Sequence, residues 1–114
     1  MQREATAILT RVGTTGDLTV RDNAAASRYE VLEGDKALGE VLYRQRGERM
    51  VLLHTVVLPY AEGGGVGSQL VAGALDDIRA RGLRVVPLCP FVAAYIQRHL
   101  EYDDLVADKP AAPE

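Results

Sequence analysis

The sequence predicts an α/β domain on a mixed sheet, with antiparallel N-terminal strands followed by a parallel strand–helix–strand unit. Three observations carry this. Short apolar runs split by turn sequences fill residues 18–49, the pattern of antiparallel hairpins. Met50 to Leu58 is almost wholly apolar, as a central strand covered on both faces would be. Val66, Leu70, Ala74 and Ile78, with Val71 and Leu75 beside them, recur at three- and four-residue steps before a second apolar run, Leu83 to Leu88. A strand, a helix and a strand in that order make a parallel crossover.

Residues 1–16 read as an N-terminal extension or added strand, with Ala7 to Val12 ended by Gly13-Thr14-Thr15-Gly16. Residues 17–107 form the single domain. Leu18 to Arg21 is a short strand and Asp22-Asn23 a turn. Ser27 to Leu32 alternates with Tyr29 and Val31 on one side, and Glu33-Gly34-Asp35-Lys36 closes a hairpin. Ala37 to Tyr43 returns with Leu38, Val41 and Tyr43, and Gly39 is a candidate bulge. Arg46-Gly47-Glu48-Arg49 is a second tight turn. The helix stops at Gly82, behind the cationic Arg79 and Arg81. Phe91 to His99 is a second helix, and residues 108–114 read as a disordered tail.

Composition narrows the function classes. A chain of 114 residues supports one domain. Its 47% hydrophobic content, with one Phe and no Trp, makes the core aliphatic. A net charge of −3 with 13 scattered Lys and Arg argues against a general nucleic-acid binder. Cys89 is alone, so no disulfide framework or cysteine-based metal site is expected. Met1-Gln2-Arg3-Glu4 opens no apolar signal region, and no window nears the ~20 apolar residues of a membrane span. The expectation is a cytoplasmic protein, monomeric or weakly homodimeric, without metal, membrane or nucleic-acid partners.

The chemistry concentrates in Glu62-Gly63-Gly64-Gly65-Val66-Gly67-Ser68, four glycines in five residues feeding a helix. Such a loop presents backbone N–H groups at the positive end of the helix dipole, a site for phosphate or pyrophosphate. There is no Gly-Lys-Ser/Thr ending, which excludes the usual P-loop. The strand after the helix ends at Pro87-Leu88-Cys89-Pro90 without the acid of a dinucleotide fingerprint. A glycine run serving only chain reversal is the plain alternative, but a turn rarely needs Gly at four of five positions.

The loop resembles the acetyl-CoA loop of the GNAT superfamily of N-acetyltransferases, whose pattern is Gln/Arg-x-x-Gly-x-Gly/Ala. Gly65 and Gly67 match, and Glu62 departs from Gln/Arg. His54-Thr55 and the run Leu83 to Ile96, with its Pro-Leu-Cys-Pro-Phe, resemble the short single-domain branch, in which Glu occurs at that first position. The resemblance covers roughly Val20 to Val106. It implies a GNAT-like splay between two parallel strands that holds CoA, with acetyl-CoA as cosubstrate and an amine as acceptor attacking directly.

On that resemblance the pantetheine arm would pair with the strand edge Val56, Val57 and Leu58. The pyrophosphate would lie on the amides of Gly63, Gly64, Gly65, Val66, Gly67 and Ser68. Acids common in the branch are replaced by Val56 and Leu58, which leaves His54 as the candidate catalytic base on that strand. By alternation His54 shares a face with Val56 and Leu58, and an unperturbed imidazole near 6.5 suits the task. A half-buried histidine bonded to backbone is the plain alternative. Cys89 would lie across the splay from His54 and guide substrate, carry acetyl, or only pack. Tyr95 reads as a pocket wall. The missing acids keep a second reading open, a CoA-binding module without turnover.

Overall fold

The computed structural model describes residues 9–15 and 18–107. Expectations for residues 1–8 and 108–114 lie outside the described residues. Six strands, β1 (Leu9–Thr15), β2 (Leu18–Asn23), β3 (Arg28–Glu33), β4 (Lys36–Arg46), β5 (Arg49–Val57) and β6 (Arg84–Pro87), follow one another across a single sheet. The first four pairings are antiparallel and β5–β6 is parallel. Among the described residues two α-helices, α1 (Val66–Ala80) and α2 (Pro90–Arg98), flank β6 in sequence. No described helix is long and apolar enough to cross a membrane.

Several local expectations shift. The glycine of Gly13 does not end β1, which runs on to Thr15. Asp22 and Asn23 continue β2 rather than turning. The reversal is a 3-10 turn at Ala24–Ala26, where Asn23 Oδ1 accepts from the Ala26 amide and Ser27 takes a left-handed conformation. The bulge beside Gly39 falls on Leu38, because Val31 pairs with Gly39 and Leu32 with Ala37. Gly39 itself is demanded by proximity, since a Cβ there would sit 2.9 Å from the Val56 carbonyl oxygen.

The six apolar positions of α1 named from its periodicity, Val66, Leu70, Val71, Ala74, Leu75 and Ile78, are all buried. They pack with Tyr29, Val31, Val41, Met50, Leu52 and Val85 and with α2's Val92 and Ile96 in one core. The helix lies close on β2: a Cβ at Gly73 would come within 2.8 Å of Val20. Its C-terminal end is tied by charge. Arg81 donates to buried Asp22 and, through Nε at 3.1 Å, to Asp77. Tyr43 donates to Asp22 and Tyr29 to Asp77, each at 2.6 Å. Burial and these carboxylates push both phenols well above the usual tyrosine range, so they remain donors.

On the sheet's opposite face Glu30 is buried. Burial alone would raise its carboxyl, but donors from Asn23, Arg28 and Arg21 outweigh it and hold the group below its ordinary value.

Candidate functional site

The site begins with an irregularity in β5. Leu42 pairs with His54 but Tyr43 pairs with Leu52, so Leu53 is an extra residue, a bulge. The alternation therefore changes parity there. Met50 and Leu52 are buried toward the helices, and past Leu53 it is Thr55 and Val57 that turn to that side. Leu53, His54 and Val56 are exposed, so the strand is covered on one face beyond the bulge, not on both as its composition suggested.

At the same level the sheet opens. Leu52 and Pro87 are the last parallel pair, and the amides of Leu88 and Cys89 both donate to the Leu52 carbonyl, at 3.1 and 3.0 Å. β5 then runs five residues further, to Val57, with no strand beside it on the β6 side among the described residues. The Leu58 amide donates to Leu38 and the Val56 carbonyl faces Gly39, so His54, Val56 and Leu58 turn their backbone groups to β4. Thr55 and Val57 are left facing the opening. Of the expected edge residues Val56, Val57 and Leu58, Val57 faces the opening, while Val56 and Leu58 turn their backbone groups to β4, as alternation along a strand requires.

The glycine loop closes the other end. Gly63 and Gly65 have φ of +86° and +83°, and Gly65 caps α1 without a side chain. The first intrahelical bond runs from Gln69 N to Gly65 O, so the amides of Val66, Gly67 and Ser68 have no partner within the helix. No acid occupies the first turn to compete for them. A cavity of about 450 Å³ is lined by these amides' residues Gly67 and Ser68, by Glu62, Gly63 and Gly65, and by Thr55, Val57 and Phe91. It therefore joins the amide end of α1 to the open edge of β5. A Cβ at Gly67 would meet the Phe91 ring at 3.0 Å, which fixes how closely the two helices approach.

Cys89 is buried at the deep end of the opening, just before Pro90 starts α2. Its Sγ lies 3.2 Å from Thr55 Oγ1. The residue across the splay from Cys89 is thus Thr55, and His54 is on the other face of the sheet. Tyr95, expected as a pocket wall, does not line this cavity. It is buried against His99, with ring centroids 4.0 Å apart, and against Tyr102. Thr55 and Phe91 line the cavity although neither was expected as a site residue; the sequence marked both only as part of the resemblance, in His54-Thr55 and in the Pro-Phe step.

The family described as GCN5-related N-acetyl-transferase matches residues 28–105. Among solved structures, the chain is similar to the NMR solution structure of a GCN5-like protein from Staphylococcus aureus, provisionally assigned as an N-acetyltransferase. That likeness has a TM-score of 0.63 at 20% identity, over 85% of this chain and 95% of the other. A weaker one is to an aminoglycoside acetyltransferase from an uncultured soil metagenomic sample. Its TM-score is 0.46 at 12% identity, over 90% of this chain and 64% of that one.

Proposed function

The chain belongs to the GCN5-related N-acetyl-transferase family, and from that membership we propose an acetyl-CoA-dependent N-acetyltransferase in which an amine attacks directly. One observation carries the reading: the cavity that joins unpartnered helix amides to an unpaired strand edge. The fit to CoA is good on charge and shape. Three free amides at a dipole's positive end suit a pyrophosphate, and backbone groups on Thr55 and Val57 suit the amides of a pantetheine arm. Among the described lining residues, Glu62 is the one that opposes an anion.

Bound acetyl-CoA supplies the activated thioester carbonyl. The chain's own residues do the orienting: the loop amides hold one end, and the Thr55–Cys89 contact limits depth at the other. His54, on the far face of the slit, accepts the proton that the attacking amine must lose. Holding two reactants so is worth up to roughly 7–11 kcal/mol, and the base roughly 10²–10⁴-fold. Cys89 packs against Thr55 at the inner end of the opening in this account. The apolar Val56 and Leu58 favour a second reading, a CoA-binding module without turnover.

A thermal scan with acetyl-CoA, paired with mass detection of an acetylated amine, tests both. Saturation at a hundredfold excess over Kd should add about 2.7 kcal/mol of stability. No shift would overturn CoA binding. A shift without any acetylated product would favour the binding module.

A further inference from the structure

The sheet face opposite the core carries ordered rows of side chains. Arg21, Glu30, Glu40 and Val56 pair successively across β2 to β5, and Arg28, Leu42 and His54 form the next row. Glu40 therefore stands directly across from Val56, and one diagonal step from His54. It lines a small cavity of about 210 Å³ with Ala37, Leu38, Gly39, Val56 and Leu58. Every other described lining residue is apolar or glycine, and Val56 and Leu58 are 43% and 36% exposed.

The carboxylate is only lightly engaged. Its Oε1 is 3.2 Å from Arg28 Nη1, while Arg28 Nε is held at 2.6 Å by Glu30. Among the described residues Oε2 has no partner. A half-buried carboxylate at the rim of an apolar cavity, one strand away from the opening in the sheet, matches a cation with an apolar body.

We propose that Glu40 binds the acceptor, and that the acceptor is a small primary amine whose ammonium meets Glu40 while its apolar body covers Val56 and Leu58. This rests on the acetyl-transfer reading, and Glu40 reaches the face of Val56 and His54 from the neighbouring strand. A polyamine fits poorly, because its second ammonium would find only apolar groups.

The test titrates 2-phenylethylamine into CoA-saturated protein and follows backbone amides by NMR. Shifts should centre on Glu40, Val56 and Leu58. Glu40→Gln, close in size and on a half-exposed side chain, should weaken amine binding about tenfold or more, the loss of one charge-assisted hydrogen bond. CoA affinity should stay within about twofold. 2-Phenylethanol and spermidine should bind more weakly than the amine. Equal amine affinity in Glu40→Gln, shifts centred elsewhere, or tighter binding of spermidine would overturn the assignment. Amine binding that depends on Glu40, without N-acetylated product from acetyl-CoA, would support the assignment and overturn acetyl transfer.

Discussion

Thr55 Oγ1 stands 3.2 Å from Cys89 Sγ, at the level where β5 and β6 cease to pair. The contact joins the two strands' ends by side chains just where the backbone ladder stops. It also occupies the thiol with a neighbouring hydroxyl inside a buried setting.

Cys89 is therefore expected to pack rather than carry acetyl. Cys89→Ala should cost about 1 kcal/mol of stability and leave specific activity close to the parent's. Intact-mass measurement after incubation with acetyl-CoA should show no added acetyl group. A stoichiometric thioester that an amine then discharges would defeat direct transfer.

His54→Ala should lower turnover about 10²–10⁴-fold while CoA affinity barely moves. The side chain is exposed on the face away from the glycine loop, so its loss leaves the loop intact. Steady-state kinetics beside calorimetric CoA titration separates these effects. Unchanged turnover would remove His54 from the chemistry.

Gly65 holds a positive φ with open space around its missing Cβ, so strain rather than collision governs substitution. Gly65→Val should cost about 1–2 kcal/mol of stability. Its effect on CoA binding should be larger, about 3 kcal/mol or more, because two charge-assisted hydrogen bonds from α1 lose their aim. Calorimetry that finds parental affinity would put the pyrophosphate elsewhere.

Glu30 predicts an acid dependence. Its folded-state carboxyl is held below the ordinary value, so the stabilisation is complete above the unfolded value, near 4.3, and is lost as pH falls through the folded one. Glu30→Gln should lose about 1–3 kcal/mol at neutral pH and decline less steeply than the parent below pH ~4. Parallel urea titrations at neutral and acid pH would show the two curves converging.

The core was legible because its signals are local. Every buried position of α1 follows from a three- and four-residue repeat, and the hairpin turns at Gly34 and Gly47 announce themselves through residues that accept positive φ. The glycine loop was legible for the same reason. The site's strand was not. Counting alternate residues along β5 fails at Leu53, and no residue type there betrays the insertion, since a leucine suits a strand and a bulge equally. From that point sidedness inverts, so Thr55 joins the expected Val57 at the opening, and Val56 and Leu58 turn away from it. Glu40's relation to Val56 was equally hidden, because it depends on the register of two strands set by a turn eight residues away from Val56.

Gly73 gives α1 the behaviour of a lever. Without a side chain at that point the helix rests directly on Val20, and Arg81 fastens its rear end to β2 through Asp22. The forward end, seven residues and roughly 10 Å from this fulcrum, carries the free amides. A methyl group at Gly73 would lift the shaft at its pivot and swing those amides off line, though it would stand far from any ligand. Binding affinity at the front of the helix is thus set in part by an atom absent from its middle.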